Sequence, residues 1–205
     1  MRHRYQPIRD LRTGEIVAWE ALMRIPGRSP QSVLAQVGDD DNKQRMLDGF
    51  VVQSVRRSAP RNGPVFVNIT PATVRAVLDG EPWPDLGEVT AVWELNESSE
   101  MQRVLAPADA LPTLCRSALV ALDDVGDGVV DVQRLLWAVR SGVAAVKLSA
   151  KVLQHADPGT LTLVRSILSL GIPVVAEGVE RVQMLVSLGA AGVGYVQGFA
   201  VGLPT

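Results

Sequence analysis

Seven short apolar runs in the chain each end on a residue able to bind a metal ion or handle a proton. Residues 16–19 lead to Glu20, 65–67 to Asn68, 91–93 to Glu94, and 119–122 to Asp123 and Asp124. Residues 144–146 lead to Lys147, 174–176 to Glu177 and 194–196 to Gln197. Runs of this length, rich in β-branched residues, read as buried strands. When successive parallel strands finish on polar groups, those groups meet at one end of the sheet, where barrels build their active sites. Upstream, residues 5–10 and 15–22 flank Leu11-Arg12-Thr13-Gly14, a short connection with glycine near its end, which predicts an antiparallel hairpin. Asp39-Asp40-Asp41-Asn42 reads as a solvated loop, rather than a metal site, before a helix around 43–57. Beyond Asn68 the strand endings recur every 20–30 residues or so, the length of a strand, a helix and two short loops. Intervening helices are expected at 71–78, 99–105 with 108–117, 130–139, 160–170 and 181–188.

This order predicts an α/β fold: a compact TIM-like (β/α)₈ barrel with an antiparallel first strand and some shortened helices. The chain's 205 residues sit near the lower end of the range for such barrels. An open doubly wound sheet is the alternative, but neither G-x-G-x-x-G nor G-x-x-x-x-G-K-[ST], the phosphate turns of such folds, occurs. Residues 1–205 read as a single domain.

Composition narrows the chemistry. Cys115 is the one cysteine, so an intrachain disulfide and multi-thiolate zinc sites are excluded. His3 and His155 both fall away from the strand ends, which argues against an imidazole-based zinc centre. A formal charge of −2 gives no reason to expect binding along nucleic-acid polymers. No apolar stretch approaches the ~18 residues of a membrane span, and the start lacks the apolar middle of a signal peptide, so no membrane insertion and a cytoplasmic location are expected.

Glu20, Asn68, Glu94, Asp123, Asp124 and Glu177 would gather more negative charge than one pocket holds without cations. Oxygen-only ligation selects hard ions, so Mg²⁺ or Mn²⁺ is expected, with Ca²⁺ able to compete. The adjacent Asp123 and Asp124 suit two ions about 3.5–4 Å apart, the spacing used for in-line displacement at phosphorus. Lys147 adds a cation for a nucleophilic water or a developing phosphate charge. Taken singly, each residue has a duller explanation: Glu97 and Ser98 as a helix start, Asp123–Gly128 as an acidic turn, Lys147 as a snorkelling strand-end lysine. Together they suggest metal-assisted phosphodiester hydrolysis.

The ordered motifs carry a resemblance. They are Tyr5-Gln6-Pro7-Ile8, Glu20-Ala21-Leu22-Met23-Arg24, Val67-Asn68-Ile69-Thr70 and Glu94-Leu95-Asn96-Glu97-Ser98, followed by Leu122-Asp123-Asp124-Val125-Gly126-Asp127-Gly128 and Val146-Lys147-Leu148. Val175-Ala176-Glu177-Gly178-Val179-Glu180 and Tyr195-Val196-Gln197-Gly198-Phe199 complete the series. In this order, over nearly the whole chain, they resemble the EAL domain family of cyclic di-GMP phosphodiesterases. The resemblance implies that Glu20, Asn68, Glu94 and Asp123 hold one metal ion, and that Asp123, Asp124 and Glu177 serve a second. It further implies Glu177 as general base, Lys147 positioning the attacking water and Gln197 ordering the network. Arg24 would meet a ligand phosphate, Glu180 a guanine, Gln6 the substrate, and Glu97 would anchor the loop after the Asp pair. The implied reaction opens cyclic di-GMP to linear pGpG, with a homodimer packed near that loop. Ca²⁺ is expected to inhibit, because its larger radius and irregular coordination would misplace the nucleophile.

Two motifs depart from the family pattern. The loop usually written D-D-F-G-T-G has Val125 and Asp127 in place of its aromatic and threonine, and the usual K-I-D ends in Ser149. These departures keep a second reading open, a cyclic di-GMP receptor that binds without cleavage. A third is an unrelated Mg²⁺-dependent barrel enzyme of the enolate type.

Overall fold

The computed structural model describes residues 2–125, 141–148 and 158–205. Eight strands close into a barrel in simple sequential order. They are β1 (Arg2–Asp10), β2 (Ile16–Arg24), β3 (Val65–Asn68), β4 (Ala91–Leu95), β5 (Leu119–Val125), β6 (Ala145–Leu148), β7 (Val174–Ala176) and β8 (Tyr195–Val196). β1 runs antiparallel to both β2 and β8, and every other neighbouring pair is parallel. The expected barrel and its antiparallel first strand are therefore present. The hairpin turn forms because Asp10 Oδ1 accepts from the backbone N–H groups of Arg12 and Thr13, while Gly14 takes a left-handed φ of 72°.

The helices are α1 (Pro30–Val37), α2 (Asp41–Ser58), α3 (Pro71–Leu78), α4 (Ser99–Val104), α5 (Ala110–Ser117), α6 (Pro158–Ser169) and α7 (Val182–Ala191). All but α1 match expected segments to within a few residues. The helix expected at 130–139 lies outside the described residues. α1 was not expected, although Ser29 caps it through Ser32 N and Pro30 opens it. The acidic run is not a loop throughout: Asp40 is the N-cap of α2, accepting from Lys43 N, and Asp41 belongs to its first turn. A second difference is small: β2 runs two residues past the expected 15–22, so Glu20, which ends the apolar run, lies well inside the strand, which continues to Arg24 along β1 after parting from β3.

Side chains alternate across the barrel wall with the strand period of two. Val65, Val67, Trp93, Leu95, Val120, Leu122, Val146, Val174 and Ala176 belong to the large core between wall and helices. Ile8, Ala18, Phe66, Val92, Ala121, Ala145 and Val175 form a separate cluster, with Tyr195 packed against it, that fills the barrel interior. That interior plug fixes the depth at which the next inward layer begins.

Candidate active site

Two positions along each strand from the plug, toward the barrel mouth, lies the next inward-facing residue. From Ile8 on antiparallel β1 this step reaches Gln6, and from Ala18 on β2 it reaches Glu20. On the remaining strands Phe66 leads to Asn68, Val92 to Glu94, Ala121 to Asp123, Ala145 to Lys147, Val175 to Glu177 and Tyr195 to Gln197. One polar layer, with a member from every strand, is thus stacked on one apolar layer. Seven of these eight were expected to meet from their strand endings, and Gln6 joins them.

Asp124 falls out of step with that period, and a bulge accommodates it. β5 places two residues, Asp123 and Asp124, between its pairings at Leu122 and Val125, where β6 places one, Lys147, between Val146 and Leu148. Asp124 takes φ 51°, the one left-handed non-glycine among the described residues. Such a conformation is uncommon outside glycine, with Asp and Asn the tolerated exceptions. Asp123, Asp124 and Glu177 each offer a carboxylate oxygen within 4.8 Å of the others. Val125, at the position of the family's usual aromatic, is buried in the wall and pairs with Leu148.

Lys147 is the centre of the charge distribution. Its Nζ, fully buried, lies 2.5 Å from Glu94 Oε1, 2.7 Å from Glu177 Oε1, 3.2 Å from Asp123 Oδ1 and 3.5 Å from Glu20 Oε2. Asn68 Nδ2 donates to Glu94 Oε2 at 2.8 Å. Gln197 Nε2 donates to Glu20 Oε2 and, at 3.3 Å, to Gln6 Oε1. Burial works to lower the Lys147 pKa, but the carboxylates of Glu20, Glu94, Glu177 and Asp123 overrule it and hold the ammonium charged well above the usual lysine value. One ammonium does not neutralise four carboxylates. Burial therefore raises Glu94 well above the ordinary carboxylate range despite Lys147, with Glu20 and Asp123 adding repulsion. Burial likewise pushes Glu177 up to about 8, against the pull of Lys147 and with the help of Asp123 and Glu20.

This site fits hard divalent cations. Its donors are oxygens only, its carboxylates outnumber its cation, and Glu94 Oε1, Asp123 Oδ1 and Gln197 Oε1 are buried without a well-angled hydrogen bond. Two cavities meet at the Asp pair. One, about 310 Å³, is lined by Gln6, Glu20, Glu177, Glu180, Gln197 and Phe199 among others. The other, about 470 Å³, runs from Asp123 and Asp124 past Asn68 and Asn96 to Arg24 and Leu34. Arg24 is exposed on that side, its Nη1 donating to Met23 O, and Glu180 is exposed on the other. Glu97 lines neither cavity. The loop it was expected to anchor, with Asp127, lies outside the described residues, as does Ser149.

Two residues went unremarked in the sequence, Gln44 and Asp48 on α2. Both are buried and both bond to the turn that follows Asn68. Their signal was a polar pair four residues apart on the face that also carries the buried Leu47 and Val55.

A closed eight-stranded α/β barrel with an acidic, lysine-centred mouth defines the class of protein. Within that class the chain belongs to the EAL domain family, whose profile matches residues 1–204. An uncharacterized signaling protein of Caulobacter vibrioides is 26% identical over 221 residues, covering 98% of this chain and 27% of that protein. Protein y4lL of Sinorhizobium fredii is 27% identical over 229 residues, covering 98% and 26%. The chain therefore spans about a quarter of the length of these curated relatives. Among solved structures, the PaMucR phosphodiesterase in its c-di-GMP complex superposes with a TM-score of 0.77 at 22% identity, covering all of this chain and 96% of that one. A standalone versatile EAL protein from Vibrio cholerae, c-di-GMP bound, gives 0.74 at 21% identity over 97% and 89% of the chains. Klebsiella pneumoniae BlrP1, in a manganese/cy-diGMP complex, gives 0.74 at 23% over 99% and 55%. The barrel fold is common to all of them.

Proposed function

We propose that this chain is a metal-dependent phosphodiesterase that opens cyclic di-GMP to linear pGpG. The observation that carries the proposal is the polar layer at the barrel mouth, whose four carboxylates exceed the charge of Lys147 and face a groove between Arg24 and Glu180. Family membership and the ligands of the solved relatives support it. Glu20, Asn68, Glu94 and Asp123 would hold one Mg²⁺ or Mn²⁺ ion, and Asp123, Asp124 and Glu177 a second. Bound there, the ions supply charge neutralisation at the phosphate and a lowered pKa for the attacking water.

The chain's own groups do the rest. Arg24 takes a phosphate oxygen by a charge-assisted bond, while Gln6 and Glu180 hold the ligand along the groove. Glu177 accepts the proton of the water, and Lys147, between Glu94 and Glu177, orients that water and offsets charge that develops on phosphate. Gln197 keeps Glu20 in place. The protein acts in the cytoplasm as a homodimer; among the described residues no helix is long and apolar enough to cross a membrane.

A receptor that binds cyclic di-GMP without cleaving it is the second reading, favoured by Val125, Asp127 and Ser149 in otherwise intact motifs. Two variants divide the readings. Glu177→Gln is expected to lower kcat at least 100-fold with cyclic di-GMP affinity retained, because the amide accepts no proton while Arg24 still holds the phosphate. Arg24→Ala is expected to weaken binding about tenfold or more. Wild-type protein that binds cyclic di-GMP but releases no product leaves the receptor reading standing.

A further inference from the structure

The turn between β3 and α3 carries Asn68, yet most of what holds it comes from α2. Ile69 N donates to Glu94 O at 3.3 Å. Thr70 is the N-cap of α3 but makes no side-chain cap bond to its own helix. Its N–H and its Oγ1 both donate to Asp48 Oδ2, at 3.1 and 2.6 Å. Pro71 has no N–H to place. Ala72 N donates to Gln44 Oε1 at 2.9 Å, and Thr73 Oγ1 gives Asp48 Oδ2 a third donor at 2.6 Å. One helix thus caps another in trans through side chains four residues apart, answering the unpaired donors that a helix start leaves. Gln44 Nε2 extends the clamp to Gly38 O and to Glu100 Oε2 in the first turn of α4, both at 2.9 Å. Asp48 is 3% exposed and Gln44 4%, so the bonds are made out of water, where a lost acceptor is most costly.

We propose that Gln44 and Asp48 are positioning residues for metal binding, fixing the β3–α3 turn so that Asn68 is held beside Glu94 in ligand geometry. The inference rests on Asn68 serving a metal ion, as in the functional reading above. Burial raises the Asp48 carboxyl above its ordinary range, and the hydrogen bonds of Thr70 and Thr73 oppose that rise, consistent with an acceptor held for those donors.

The test is Mn²⁺ binding by isothermal titration calorimetry alongside turnover of cyclic di-GMP at varied Mn²⁺. Asp48→Ala is expected to weaken Mn²⁺ binding about 10–100-fold, the usual loss when a partner behind a metal ligand is removed. The Mn²⁺ concentration for half-maximal rate should rise with it, while KM for cyclic di-GMP at saturating Mn²⁺ stays within about twofold. Asp48→Asn keeps an oxygen in place of Oδ2 and should recover most of the affinity. Ser54→Ala, which removes a buried hydroxyl of α2 bonded to His3, should lower thermal stability without moving Mn²⁺ affinity. Should Asp48→Ala not fold, Thr73→Val removes one of the three donors and is expected to cost about threefold in Mn²⁺ affinity.

Wild-type Mn²⁺ affinity in folded Asp48→Ala, or in Thr73→Val where that variant serves, overturns the inference, as does an equal loss in Ser54→Ala. Wild-type protein that binds Mn²⁺ but hydrolyses nothing refutes the functional reading alone, since the calorimetric comparison still decides the role of Asp48. Wild-type protein that binds no Mn²⁺ overturns both.

Discussion

Replacing Lys147 by Met removes a fully buried ammonium at nearly constant volume and leaves its four carboxylates without their shared cation. Each contact, at 2.5–3.5 Å, represents on the order of 5 kcal/mol of gross attraction at an effective dielectric near 20. Desolvation of the same charges cancels most of that, and breaking a buried ion pair from one side typically leaves a loss of about 3–5 kcal/mol. For a chain of this size the loss corresponds to a fall in Tm of roughly 6–20 °C. The fall should be full in chelator at pH 8, where the carboxylates are most charged, and smaller at pH 5, where they take up protons. Saturating Mn²⁺ should close more than half of the gap, because the ions supply the missing positive charge. Differential scanning calorimetry of both proteins, with chelator and with Mn²⁺ at each pH, reads all three effects. Equal Tm values in chelator at pH 8, or a gap that Mn²⁺ leaves untouched, would refute the reasoning.

Metal-free wild-type protein should itself lose stability as pH rises. The folded-state pKa of Glu177, about 8, exceeds its ordinary 4.5, so its contribution favours the fold fully below pH 4.5 and is lost as pH climbs through 8. Three and a half pH units set a ceiling of roughly 5 kcal/mol on that loss; urea unfolding between pH 5 and 8 measures it, and a flat profile in chelator contradicts the assignment. Gly198→Ala should destabilise by about 2 kcal/mol or more and lower turnover, since φ there is 150° and a Cβ would run into the backbone of Val179, which bonds Gln197 O. Gly194→Ala, with open space around its Cα, should change stability by less than about 1 kcal/mol, and equal effects of the two would count against the positioning of Gln197.

The polar layer was legible because a strand buried on both faces reads as an unbroken apolar run, so its first polar residue is conspicuous. Phe66 to Asn68 and Val175 to Glu177 show the principle. The same cue stopped at Glu20, which is polar and yet followed by four more strand residues that pair only with the hairpin partner; the expected hairpin strand, 15–22, fell two residues short of Arg24. Nothing in Asp123-Asp124 announces a bulge: consecutive strand residues ordinarily face opposite sides, and only the left-handed Asp124 brings the second carboxylate to Glu177. α1 buries none of its residues, so apolar spacing gave no sign of it, although Ser29 and Pro30 mark its start. Gln44 and Asp48 were hidden for the opposite reason, as polar residues on a buried helix face whose partners lie about 25 positions away and become visible only once α3 is packed.

The most direct test of the central claim is product analysis by anion-exchange chromatography after incubating the purified chain with cyclic di-GMP. The account expects linear pGpG with Mg²⁺ or Mn²⁺, none in excess chelator, and suppression by Ca²⁺, whose larger radius and irregular coordination misplace the attacking water. Intact cyclic di-GMP under every metal condition, or undiminished pGpG formation in chelator, would contradict it.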